Sequence, residues 1–475
     1  MVSKETIFNR SFDYFVSIIS QRILNSIIHI VKHPIFIFYL GAGVYGDWLL
    51  LLSIPSFLSL YELGFGTAGI NKISMSFAKK NFDECRRVFI TIFFLLIIFG
   101  MILFLTSLAI LLNISTFDNY FDYIENDIIK IYILILVLYL IVGNISGFFN
   151  TLLHTANFYA LSVYYKNLFI LIEFIVSVLV LILTKNLMLI LMSILIIRII
   201  RLFFMILVVN SKIKWLSFKI TLFTYSKIKE LIIPSLTFLF PPIIFILKNQ
   251  ALFYLIAYYY DSQFVTLFVL TLTMTRIIFP IGNLMNDAIK IEINQLFINK
   301  NFNKMLKIYF LNIQLIFWIL IFLFIPIYLF SSYFFEIWTL SEVKFNYNLF
   351  TFLFIGTFFA TLTGPLQLFL YGTNLHSKYV TTNLILTLLN FIFLIFFLEI
   401  KALNYIAYSL LILEILTLFS VLIFTSIALN KPLFYFFINI SKVPEFKELL
   451  LLGRNSILQK KFVFNFLNRF ITKKK

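Results

Sequence analysis

GAGVYGDWLLLLSIPSFLSLYELGFGTAGINKISMSFAKKNFDECRRVF, residues 41–89, decides how the rest of the chain is read. An apolar run opens at GVYGDW and closes at YELGFG. It empties into a segment carrying Lys72, Lys79, Lys80, Arg86 and Arg87. A helix over 45–66 rises about 1.5 Å per residue and so crosses a hydrocarbon layer of about 30 Å. Part of the stretch occurs twice. Phe77, Lys80, Asn81 and Phe82 recur as Phe297, Lys300, Asn301 and Phe302, each 220 residues later.

Working outward, the 475 residues are 61% hydrophobic and 12% charged, with a mean hydropathy of +1.00. Soluble domains carry about 25% charged residues, so this chain lacks the charge to cover a watery surface. Apolar runs of about 20 residues recur from end to end, as in a polytopic helical membrane protein. A transmembrane barrel would show short alternating segments instead. The fold class is therefore all-α. Twelve spans are expected near 11–31, 45–66, 89–112, 130–153, 163–183, 187–209, 230–250, 263–285, 308–330, 349–370, 379–398 and 404–428. The start lacks an apolar core followed by a small-residue cleavage site, so no cleaved leader is expected. The single cysteine, Cys85, excludes an internal disulfide.

With the N-terminus inside, 28 of the 38 lysines and arginines fall on the inner side and 5 on the outer; the remaining 5 lie within spans. That asymmetry places both termini in the cytoplasm. The net charge of +17 follows from those inner loops and calls for no nucleic acid. The outer loops are short, which speaks against a membrane polymerase. From Asn430 onward, apolar and basic residues alternate as in an amphipathic helix on the inner leaflet; a solvated basic tail is the other reading.

A second echo supports a duplicated design. ISGFFNTLLHTAN (145–157) faces LTGPLQLFLYGTN (362–374) at an offset of 217, matching Gly147 with Gly364 and Asn157 with Asn374. Two halves six spans apart share one orientation. Such parallel repeats bind substrate at their interface and rock against each other. The expected division is a lobe over 1–210, a linker over 211–229, a second lobe over 230–429 and a tail over 430–475.

Charges within spans are costly and are candidate functional residues. Arg22, Arg198, Arg201, Lys248 and Arg276 oppose Glu173 and Glu414. Glu173 lies at the depth of Arg198 and Arg201, which fits a structural ion pair or a role in substrate or proton coupling. Lys248 reads as lying near the outer end of its span, snorkelling to the interface or lining a cavity. Arg22 and Arg276 have no partner apparent in the sequence and are candidates to line a central cavity. Glu414 fits an ion pair or a coupling-ion site. Pro241 and Pro242, with Pro234 before them, are expected to break span seven, as a gate or as a static kink.

Signatures of soluble enzymes are absent from the sequence. There is no phosphate-binding GxxxxGK[ST] loop. His29, His33, His154 and His376 are scattered without metal-ligand spacing. No cofactor or metal is expected.

GVYGDW, YELGFG, the NKIS…AKKNFDECRR segment, the GFFN…TAN stretch and twelve spans with a basic inner side together resemble a known family. It is the polysaccharide-transporter branch of the multidrug/oligosaccharidyl-lipid/polysaccharide (MOP) exporter superfamily, specifically Wzx-type O-antigen flippases. These motifs are glycine and aromatic landmarks of fold rather than catalytic signatures. The resemblance implies a flippase, not an enzyme, in the bacterial inner membrane. It would move undecaprenyl-pyrophosphate-linked oligosaccharide between leaflets, with H⁺ or Na⁺ as a possible driving ion and membrane lipids around it. A cation-coupled multidrug exporter of the same superfamily and an O-antigen polymerase stand as the alternatives.

Overall fold

A computed structural model of the chain describes residues 4–113, 120–216, 218–373, 375–398 and 404–444. They are almost wholly helical, and no strand occurs among them. Helix α1 (Lys4–Leu58) contains the first surprise. The apolar run Val16–Glu62, which continues through the turn after α1, would be about 70 Å long if straight, over twice the hydrocarbon thickness. It is not straight. At Gly41 the backbone takes φ 76° and ψ 163°, and the chain doubles back. The Tyr45 hydroxyl reaches His33 Nδ1 at 2.7 Å, and the rings of Phe36 and Trp48 stack at 6.1 Å. Neither contact is possible across twelve residues of straight helix. The first two spans therefore form an antiparallel hairpin joined by one glycine. Among the described residues, eleven apolar helical runs, the first of them folded double, give twelve passes.

The hairpin corrects two loop assignments. Lys32 lies in the helix, its ammonium 5.3 Å over the Phe36 ring, and not in a connecting loop. The basic segment after YELGFG is also helical. Leu63 and Gly64 (φ 49° and 73°) interrupt the second span, and the chain continues as α2 (Phe65–Ala78) and, after a tight turn, α3 (Phe82–Asn113).

The first half continues with α4 (Asn126–Thr155), α5 (Tyr159–Thr184) and α6 (Leu187–Lys212). A run of short pieces follows: α7 (Tyr225–Thr237), α8 (Phe240–Phe245), a π turn at Ile246–Gln250 and α9 (Ala251–Tyr259). Then come α10 (Ser262–Thr275), α11 (Phe279–Ile298), α12 (Phe302–Leu329), α13 (Ser331–Trp338), α14 (Tyr347–Gly372), α15 (Ser377–Leu398), α16 (Asn404–Leu429) and α17 (Leu433–Ser441). Of the basic tail, α17 packs on α12 and α16; the stretch from 445 on, where the amphipathic helix was expected, lies outside the described residues.

The two echoes share backbone geometry. Lys80 and Lys300 both adopt left-handed φ, 57° and 55°. Asn81 N donates to Ser76 O at 3.0 Å, and Asn301 N to Leu296 O at 2.9 Å. Each asparagine then caps the next helix through its side chain, accepting from Glu84 N and from Lys304 N. Phe77 and Phe82 meet at 5.9 Å, as do Phe297 and Phe302. The second echo repeats too. His154 against Tyr159 (4.5 Å) is matched by Tyr371 against His376 (4.7 Å), and Phe158 N→Leu153 O by Leu375 N→Leu370 O.

Packing differs at the two ends of the bundle. At the end carrying Gly41 one apolar cluster runs through both halves, from Phe36, Tyr45 and Trp48 to Phe268, Phe335 and Phe350. At the end carrying Lys80 there are two separate clusters. One lies around Phe89 and Phe149 in α2, α3, α4 and α6 and takes in Leu231 of α7; the other lies around Tyr309, Phe369 and Phe436. The halves are thus fused at one end and divided at the other. Large side chains such as Leu183, Phe322 and Phe396 face outward, as a lipid-facing surface requires.

Candidate functional site

Four groups of buried or half-buried polar side chains lie along the interior. In the first half, Arg198 on α6 donates from Nε to Glu173 Oε1 on α5 at 2.5 Å and from Nη2 to Oε2 at 3.3 Å. Its guanidinium lies 4.1 Å over the Tyr139 ring and hydrogen-bonds that hydroxyl. Gly143 makes room for it: a Cβ there would stand 2.6 Å from Arg198 Nη1. Arg201, one turn on, is only 8% exposed and forms no hydrogen bond among the described residues; its Nε is buried. The matched depths of Glu173 and the two arginines thus resolve into one ion pair and one solitary arginine.

In the second half, Lys248 Nζ meets Glu414 Oε1 at 2.7 Å, with the two side chains 14% and 17% exposed. The pair lines a partly open cavity of about 270 Å³ with Gln367, Tyr379, Asn383 and Thr417. Lys248 does not snorkel. The π turn at 246–250 is one place where a helix gains a residue and its side chains rotate in register, and Lys248 lies within it, aimed at α16. Arg276, at the α10–α11 junction, has a buried Nε without a partner, and its guanidinium lies 5.7 Å from the Phe279 ring.

Between the halves, Arg22 is not alone. Its Nε donates to Asp287 Oδ2 on α11 at 2.9 Å, and Nη2 to the same oxygen. This pairing, 265 residues apart, ties the first span to the second half.

The fourth group lies at the Gly41 end. Asp47 of GVYGDW is fully buried. It accepts from Tyr123 N at 2.8 Å, from Asp122 N at 3.4 Å and from the Ser262 hydroxyl at the start of α10. Sequence reasoning passed over Asp47, Asp122 and Asp287. The only signal was an aspartate inside an apolar motif.

Span seven breaks at Phe238–Leu239, one residue ahead of the expected prolines. Pro241 and Pro242 lie in the first turn of α8, where a missing N–H costs nothing. Phe238 and Leu239, just ahead of them, keep right-handed dihedrals, and Pro234 lies inside α7. α7 packs on α2 and α3 of the first half, whereas α8 and the π turn pack on α15 of the second. An ion network fastens α7: Lys72 to Glu230, Lys227 to Glu84 at 2.6 Å, and Lys227 to Glu230 at 2.9 Å. Hydrogen bonding to Glu84 raises the Lys227 pKa, and hydrogen bonding to Lys72 lowers that of Glu230. Glu62, beside the YELG break, is half-buried and has no ion pair or hydrogen bond among the described residues.

No group of three or more metal-ligating side chains occurs among the described residues. No protein-family model and no curated protein matches the chain. Solved structures do. An inward-facing multidrug resistance MATE family transporter of the MOP superfamily is 13% identical, with TM-score 0.60, over 85% of this chain and 94% of its own. The lipid II flippase MurJ in an inward closed conformation is 15% identical, with TM-score 0.62, over 90% and 89%. A MATE in a bent conformation is 13% identical, with TM-score 0.55, over 93% and 100%. At such identities the likeness speaks for architecture, and the chain therefore has the fold of the MOP superfamily transporters.

Proposed function

We propose that the chain is an alternating-access flippase for an undecaprenyl-pyrophosphate-linked oligosaccharide, working in a bacterial inner membrane with both termini in the cytoplasm. The observation that carries this reading is the pattern of pairing among the charges within the spans. Glu173, Glu414 and Asp287 each take one cation: Arg198, Lys248 and Arg22. Among the described residues, Arg201 and Arg276 form no ion pair or hydrogen bond, and the Nε of each is buried. Unpaired guanidinium groups in a low-dielectric interior favour an anionic ligand, and their planar fork matches the oxygens of a diphosphate. The two lobes, 1–210 and 230–429, would rock about the interface that α1 shares with α10 and α11. The Phe238–Leu239 break ahead of Pro241 would serve as the gate.

The test is surface polysaccharide in cells carrying Arg201→Met or Arg276→Met at normal membrane abundance. Each should lower it about tenfold or more, the loss of one charge-assisted contact of 1.4 kcal/mol or more. Unchanged polysaccharide in both variants refutes the reading. Glu62 favours a second one. A half-buried carboxylate without an ion pair among the described residues suits a cation-coupled exporter of cationic drugs. Drug susceptibility changed by Glu62→Gln, with polysaccharide intact, would favour that exporter.

A further inference from the structure

The GVYGDW motif is more than a landmark of fold. It builds one side of a closure between the halves at the Gly41 end. A Cβ on Gly46 would lie inside the carbonyl group of Ser262, so the two backbones touch there without water between them. Next to that contact Asp47 Oδ1 accepts from Ser262 Oγ, while Asp122 Oδ2 lies 3.0 Å from the same Oγ and 2.9 Å from Ser262 N.

A serine hydroxyl has a single proton to donate. Two carboxylate oxygens contact this one. If both carboxyls are ionised, one of the two contacts sets lone pair against lone pair, with the charge on fully buried Asp47 facing a like charge on exposed Asp122. A single added proton resolves it. Held on Asp122, it runs from Oδ2 to Ser262 Oγ, and the serine proton runs on to Asp47 Oδ1. Held on Asp47, the relay runs the other way. Either arrangement leaves one negative charge, which Tyr123 N or Ser262 N helps to satisfy.

We propose that Asp47, Asp122 and Ser262 form a binding site for one proton that locks the Gly41 end of the interface shut. The site rests on the flippase reading only in that alternating access requires this end to part. Neighbouring groups are otherwise engaged. On α10, Asp261 caps its own helix through Phe264 N. Ahead of α10 in space, the Tyr123 hydroxyl accepts from Gln263 Nε2. On α4, Asp127 pairs with Lys130, and Glu125 precedes the helix. On α1, Tyr45 bonds His33 and Lys32 lies over Phe36. Lys185 lies over Tyr39, and Lys344 lines a cavity with Phe264. Among the described residues none of these hydrogen-bonds or ion-pairs with the Asp47 or Asp122 side chain.

The test uses full-length protein in lipid nanodiscs without substrate, in a Cys85→Ser background. Spin labels at Asp127→Cys on α4 and at Glu342→Cys, between α13 and α14 beside Val343 of the Gly41-end cluster, report the separation of the halves at this end. In otherwise native protein the closed-to-open ratio should fall as pH rises from 5 to 9, by at most about tenfold per pH unit, the limit for one proton. Asp122→Asn supplies a permanent N–H to the serine and should stay closed at every pH. Asp47→Asn should do the same and guards against misfolding of the first variant. A native distribution that does not respond to pH overturns the proposal. So does an Asn variant that titrates as the native protein does. Because no substrate is present, either result is independent of what is carried; the polysaccharide assay decides that separately.

Discussion

Gly64 and Ser235 meet backbone to backbone: a Cβ on the glycine would clash with the serine carbonyl oxygen. The contact joins the YELG break in the second span to α7. Gly64 also has φ +73°, where an L residue costs about 1–2 kcal/mol. Gly64→Ala should therefore lower the melting temperature of the purified protein, with the steric cost added to the conformational one. Gly147→Ala is the control. Nothing lies within 4 Å of its Cβ position, and its melting temperature should equal or slightly exceed that of the native protein.

The twin turns make a symmetrical prediction. Asn81→Ala and Asn301→Ala each remove a side-chain cap and should each cost about 1 kcal/mol, read as closely similar shifts in thermal unfolding. A large difference between them would show that the two turns, alike in geometry, carry unlike loads.

The Arg198–Glu173 pair lends itself to a double-mutant cycle. Glu173→Gln or Arg198→Met alone leaves a buried charge or its partner uncompensated and should destabilise by about 3–5 kcal/mol. The double variant should recover most of that loss. Additive losses would mean that the two side chains act separately.

The network on α7 has a pH signature. Glu230 titrates below its ordinary value, so its contribution is present above about pH 4.5 and is lost as pH falls through its lowered pKa. Lys227 titrates above its ordinary value, so its contribution is present below about pH 10.5 and is lost as pH rises through its raised pKa. Hydrogen exchange of α7 amides should accordingly show steady protection through the neutral range, after correction for intrinsic rates, and weaken below it. Lys227→Ala should abolish most of that protection at pH 7.

The parts of the fold legible in the sequence were those written in local pattern. Hydropathy gave the spans, and the Phe–Lys–Asn–Phe echo gave two turns of one geometry, because a left-handed residue followed by an asparagine cap is a local device. The Gly41 reversal was hidden, since a connection of one glycine leaves no polar loop to see. Partners were hidden for another reason. Asp287 pairs with Arg22 across 265 residues, and Asp47 is satisfied by a serine that resembles any other helix start. The orientation of Lys248 depends on a π turn, and no residue type in ILKNQ announces one.

A hairpin without a loop has a mechanical consequence. The two arms of α1 share their apex at Gly41 and stack ring on ring below it. They therefore tilt as a single lever. Displacing Arg22 near the foot of one arm must swing the YELG break at the foot of the other, and with it the seat of α7. A ligand that competes for Arg22 would thus be felt at the foot of the neighbouring span and at α7.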